Sequence, residues 1–362
     1  MQIKQDELEI KLTNIRILLD KHKVEGVLLR RVSSFAWVTC GAASYTNTAT
    51  TEGAASLFVT RDHHYLLTNN IEAPRLQQED GLVDQGWEWL VSPWTESQKE
   101  MNRLIAGKKF IADVAFQDAK DVSAEISRLR SNLTEMERTR FRQLGRLCAD
   151  AMEAALGSLK PGMSEYEIAA LLGLETQQRG VQPIVNLIAV DDRVYSYRHP
   201  LPTSKELDKY AMLVLCGRKW GLVCSITRLI HFGPIPTDLK DKILATAYIS
   251  ATLIKNTRPG RSLDELFTIG QRAYALQGVP NEWKHHHQGG AVGYEPRESL
   301  GLPDSQDVVM AGQAYAWNPS ISGAKVEDTI LVEEDKNEII TLTPALPVTH
   351  IKGVPCSLAL EM

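Results

Sequence analysis

The chain has 362 residues, 43% of them apolar and 23% charged, which is ordinary globular composition and more than one small core needs, so two domains are expected. Forty Lys and Arg against 45 Asp and Glu leave a net charge of −5, which argues against nucleic acid as a partner. No apolar run approaches the roughly 18 residues of a membrane span, and the N-terminal MQIKQDELEIK lacks the apolar centre of a secretory signal, so a cytoplasmic protein is expected.

In chain order, Leu8, Leu12, Ile15 and Leu19 recur at helical spacing and predict an opening helix. VEGVLLRR then predicts a charged turn and a strand. SLFVT and HYLLT, separated by Arg61, Asp62 and His63, read as a hairpin, and NNIEAPRLQQE has helical character. The pattern changes near Asn132, giving expected domains of residues 1–132 and 133–362. Phe141, Leu144, Cys148, Ala151 and Ala155 predict a long amphipathic helix that starts after Thr134 and ends at Lys160-Pro161-Gly162. Ser164 and Glu167 then form a capping box for a second helix. The same grammar returns later. A helix over Asp238 to Asn256 ends in Arg258-Pro259-Gly260, and Ser262 with Glu265 caps the next. Matched order of helix, turn, helix and strands indicates an internal duplication, with a cleft expected between the halves. The five cysteines are scattered without a CxxC pair and read as reduced, buried thiols.

The duplicated half, preceded by a smaller α/β domain, resembles the pita-bread superfamily of creatinase, prolidase, Xaa-Pro aminopeptidase and methionine aminopeptidase. The resemblance rests on Arg198-His199-Pro200, GLVCSITR (221–228), GGAVGYEPRE (289–298) and KVEDTILVEE (325–334). It implies an α+β class: a C-terminal pita-bread fold of two pseudo-twofold α/β halves behind a creatinase-type N-terminal domain.

Metallopeptidases of this superfamily hold two divalent ions with two Asp, one His and two Glu. By resemblance those positions fall here on Val214 or Leu215, Ser225, Gly290, Asn318 and Glu327. One carboxylate remains of the set, so no metal and no other cofactor is expected. The triplet His285-His286-His287 lies just upstream; in an extended segment His285 and His287 would face one side and His286 the other, so at most two could join Glu327 in a mononuclear metal site.

Creatinase, and by similarity ectoine hydrolase, supply a precedent for opening a C–N bond on this fold without the dinuclear centre. The expected function is therefore a metal-independent hydrolase of a C–N bond in a small charged compound. His199, at the superfamily's His before the first central strand, is the expected proton carrier. Glu327 and Glu298 are expected to join it in catalysis. Arg297 is expected to bind a carboxylate, with Ser225, Asn318, His287 and Gly290 lining the substrate site. In creatinase-like relatives the small domain of one subunit caps its partner's site, which implies a homodimer with Arg31 and Phe35 reaching substrate in trans. Two alternatives stand beside this reading. One is a catalytically silent, peptide-binding pita-bread module such as occurs in a histone chaperone; the other is an Xaa-Pro aminopeptidase-like metallopeptidase.

Overall fold

The structure, a computed structural model, describes residues 2–362; Met1, the first residue of the expected N-terminal domain, lies outside them. The chain forms two compact units, the first comprising residues up to Arg130 with Trp220–Leu222, and the second Ser131–Lys219 with Val223–Met362. No helix among the described residues is long and apolar enough to cross a membrane.

In the first unit the helix Gln2–His22 buries Leu8, Leu12, Ile15 and Leu19, the stripe its spacing predicts. The hairpin is present as strands Glu52–Thr60 and His64–Asn69, paired antiparallel. Both belong to a six-stranded sheet in which Gly26–Arg31 is central. The segment Val32–Val38, directly after that strand, is an additional helix with six of its residues buried. A helix covered on nearly all sides has no polar face, so its sequence shows no 3.6-residue alternation.

The second unit carries the duplication. Helices Glu135–Ser158 and Glu165–Gln177 precede strands Gln182–Val190, Tyr210–Lys219 and Leu222–His231. Helices Thr237–Asn256 and Leu263–Leu276 precede strands Gly289–Val292, Ala314–Trp317 and Asp328–Val332. Both predicted capping boxes form, and Thr134 with Glu137 makes a third.

The two Pro-Gly turns repeat in hydrogen-bonding detail. Gly162 N donates to Leu207 O at 2.7 Å and Gly260 N to Val309 O at 2.9 Å. Leu207 N returns to Met163 O, as Val309 N does to Arg261 O, and Ser164 and Ser262 each make an isolated bridge with the returning segment. Gly162 and Gly260 have φ of +90° and +87°, which only glycine adopts without strain. Ser164→Ala and Ser262→Ala, each losing one cap, are expected to cost about 1 kcal/mol apiece by denaturant melts. Markedly unequal losses would contradict the equivalence of the halves.

The halves are stitched at their centre by Thr227 N to Glu327 O (3.1 Å), Val223 N to Gly293 O (2.8 Å) and Ser225 N to Thr329 Oγ1 (3.0 Å). Beneath this seam Arg228, buried, donates to Asp328 Oδ1 at 2.7 Å, to Thr343 Oγ1 and to three backbone carbonyls. All five cysteines are buried and free.

Candidate active site

The seam between the halves brings Ser225, Arg297 and Glu327 together. The strand Leu222–His231 fixes Ser225 and Thr227, while the segment leading into Asp328–Val332 presents Glu327 opposite Thr227. Glu327, 2% exposed, accepts from Thr227 Oγ1 at 2.7 Å and from Arg297 Nη2 at 2.9 Å. Lys325 Nζ stands 3.3 Å from Oε2, the oxygen that accepts from Thr227, and Lys325 is itself 3% exposed. Burial pushes the Glu327 carboxyl up, but Lys325, Arg297 and the Thr227 hydroxyl together outweigh it and hold it down at about 2. One carboxylate thus faces two cations, leaving a local surplus of positive charge. Lys325 is absent from the sequence-based site; its position two residues before Glu327 in an extended segment was the signal that the two share a face. Asp328 points the other way, to Arg228.

The second group is imidazole. The short helix Asp192–Ser196 leads into Arg198, His199 and Pro200. Arg198 Nη2 binds Glu282 Oε2 at 2.6 Å, and that same oxygen accepts from Ser322 N at 3.0 Å, so Glu282 clamps the His199 loop to two segments of the other half. Glu282–His285 forms a 3-10 turn, and only after it does the chain become extended. The alternation expected for the triplet therefore fails: the turn removes His285, and His286 and His287 both approach His199. His286 Nε2 lies 3.1 Å from His199 Nε2, and His286 Nδ1 lies 3.2 Å from Ser320 Oγ. Ring centroids are 4.9 Å apart for His199 and His286, 5.8 Å for His199 and His287, and 4.7 Å for His286 and His287.

Burial lowers all three imidazoles, reinforced by Lys325 at His286 and His199 and by Arg297 at His287. His286 falls to about 2 and His287 to about 4, and His199, exposed on one side, lies below the usual histidine value. All three are neutral at pH 7. In the chain Ser320, His286, His199, one atom of each contact donates and the other accepts, and proton transfer along it exchanges those roles.

Glu298 Oε1 accepts from Tyr294 N (2.9 Å) and Glu295 N (3.2 Å), closing the turn that carries Arg297. Ser225 is fully buried, its hydroxyl 3.4 Å from Arg297 Nη1 and 3.2 Å from Cys216 Sγ. Gly290 lies inside the sheet, where a Cβ would meet the Ser299 carbonyl oxygen at 2.0 Å. Sheet packing alone demands that glycine. Asn318 is buried with an unpartnered Oδ1, and its backbone N donates to Gln288 O. Arg31 Nε donates to Asp113 O at 2.9 Å within the first unit. Phe35 is wholly buried in that unit's core and has no face to offer a ligand, which corrects its expected role. Glu282 and Ser320 were missed, since neither has a local sequence signal and both act through contacts distant in the chain.

The sequence pattern of metallopeptidase family M24 matches residues 139–334. The chain is 22% identical over 350 residues to the uncharacterized peptidase YqhT of Bacillus subtilis, covering 92% of this chain and 98% of that one. The Xaa-Pro dipeptidase from Bacillus anthracis has the same fold, with a TM-score of 0.80 at 19% identity, over 98% of this chain and all of that one. The N-terminal domain of FACT complex subunit SPT16 from chickpea shares it at a TM-score of 0.69 and 12% identity, over 94% and 97% of the two chains.

Proposed function

The chain belongs to metallopeptidase family M24, and from that membership we propose that it hydrolyses a carbon–nitrogen bond in a small charged compound without the family's pair of divalent ions. The observation that carries this reading is the buried pairing of Glu327 with both Arg297 and Lys325. Two protein cations stand against the one remaining carboxylate of the ligand set that the resemblance implies. The other positions offer an alkyl group, the Ser225 hydroxyl, a glycine and the Asn318 amide, which do not fit two dications whose affinity follows donor number and charge.

In this mechanism neutral His199 takes a proton from water as the water oxygen bonds to the scissile carbon. It returns that proton to the leaving nitrogen as the C–N bond breaks. His286, fixed by Ser320, accepts or supplies the proton of the His199 ring as its charge changes. Arg297, held by Glu327 and carried on the turn closed by Glu298, meets an anionic group of the substrate, and the surplus positive charge beside it favours that sign. Glu327 therefore works through Arg297. Asn318 Oδ1 gains from a substrate N–H the donor it lacks in the free protein. His287 is assigned to substrate contact beside His199.

The test is turnover of carboxylate-bearing amides, ureido compounds and amidines, followed by release of ammonia or amine with and without chelator. Turnover that chelation leaves intact supports the reading. Chelator-sensitive hydrolysis of Xaa-Pro dipeptides would overturn it in favour of an activity like that named for the Bacillus anthracis neighbour. Specific peptide binding with no turnover would favour the silent module.

The reading also takes the working unit to be a cytoplasmic homodimer in which the first unit of each chain reaches the partner's site, with Arg31 as the contributing side chain. Arg31→Ala is then expected to raise KM with kcat little changed. A monomer by sedimentation equilibrium at assay concentration would contradict this arrangement.

A further inference from the structure

The three imidazoles are arranged around a common point. In a tetrahedral site with metal–nitrogen distances of about 2.0–2.1 Å, donor nitrogens lie about 3.3 Å apart and the ring centres about 5 Å apart. His199 Nε2 and His286 Nε2 are separated by 3.1 Å, and one ligand atom from each of the three residues falls within 4.8 Å of the others. The centroid triangle of 4.7, 4.9 and 5.8 Å brackets the expected edge, so rotation of the His287 ring is the main adjustment needed. The buried Nδ1 of His287 has no hydrogen-bond partner. The Ser320 hydroxyl on His286 Nδ1 fixes that ring as an outer partner fixes a metal-bound imidazole. His199 is exposed, which gives an ion a route to the three rings.

We infer that His199, His286 and His287 form a site for one nitrogen-seeking divalent ion, Zn2+ or Ni2+ in kind, separate from the carboxylate seat at Glu327, and that its occupancy switches the hydrolytic site off. The choice of ion follows from the donors. Three imidazoles suit Zn2+, Ni2+ and Cu2+, whereas Mg2+, Ca2+ and Mn2+ require oxygen donors and carboxylate charge. The nearest charges acting on the rings, Arg297, Lys325 and Glu327, are net positive, so binding depends on imidazole donation and not on charge compensation. The switch rests on the proposed role of His199: with His199 Nε2 and His286 Nε2 both bound to the ion, the proton exchange between the two rings that the proposed mechanism uses is lost. Binding of the ion itself does not depend on that role.

The experiment is calorimetric titration of the full chain with Zn2+, alongside visible absorption with Co2+ as a geometric reporter. One equivalent of Zn2+, a tetrahedral Co2+ band, and no binding of Mn2+ at the same concentrations are expected. Ser320→Ala, which removes the outer partner with little loss of packing, should weaken Zn2+ by roughly 10-fold or more. His287→Gln should remove the Co2+ band with the circular dichroism spectrum unchanged. Absence of saturable binding, or equal affinity in wild type and both variants, overturns the site. Once a substrate is known, Zn2+ should inhibit with the midpoint found by calorimetry, and saturation without inhibition overturns the switch. Stoichiometric Zn2+ binding in a protein with no hydrolytic turnover would leave the ion site standing and remove the proposed function.

Discussion

Replacing His199 with alanine is expected to lower kcat by about 10²–10⁴-fold while KM stays nearly unchanged, the loss typical of a removed general acid–base group. In the proposed mechanism the side chain meets the reacting water, whereas substrate charge is held at Arg297, so turnover and affinity separate. The same group sets the acid limb of the pH profile. Burial first, then Lys325, holds the His199 imidazole below the usual 6.5. The base is neutral above its own pKa and is lost as pH falls through it, so kcat/KM should decline only below pH 6.5. Arg297 and Glu327 also face this group and oppose one another in sign. Steady-state kinetics over pH 4 to 8 check both points. A His199→Ala enzyme with full kcat would remove the imidazole from the mechanism.

Replacing Glu327 with glutamine is expected to destabilise the protein by about 3–5 kcal/mol, because it leaves two cations beside an uncharged group in a buried site. Lys325 and Arg297 are 3% and 16% exposed, so water restores little of the lost compensation. The linkage has a defined sign. The folded-state carboxyl lies at about 2, below its unfolded value near 4.5, so this contribution is full above the unfolded value and lost as pH falls from there towards 2. His286 and His287, neutral when folded but protonated in the unfolded chain below about 6.5, begin an acid loss of their own at higher pH. In Glu327→Gln the portion below pH 4.5 should therefore shrink and the portion above it remain. Urea melts across pH measure this. A variant as stable as wild type would show that Glu327 does not neutralise Arg297 and Lys325.

Much of the architecture was legible because it is written locally. A capping Ser three residues before Glu, after Pro-Gly, needs no tertiary contact to be recognised, and two copies in the same order of elements expose the duplication. The helix Val32–Val38 was not legible, because near-complete burial erases periodicity. At the site, loss of carboxylates at Ser225 and Asn318 could be read by resemblance, but what replaced their charge could not be read that way. Lys325 was within reach through its spacing from Glu327. The convergence of His286 and His287 on His199 depends on a 3-10 turn at Glu282–His285 and on the Arg198–Glu282 pair, which joins residues far apart in the chain. Phe35 illustrates the reverse error: likeness to relatives whose small domain caps a partner's site suggested a ligand contact, and burial assigns it to the core.

The account depends on Glu327 being neutralised by side chains instead of by a pair of divalent ions. Anomalous diffraction from crystals soaked in Mn2+, an oxygen-seeking ion, tests this most directly. No peak within bonding distance of the Glu327 carboxylate, with Arg297 and Lys325 still in place, is the predicted result; two peaks bridged by that carboxylate, with both cations displaced, would contradict it.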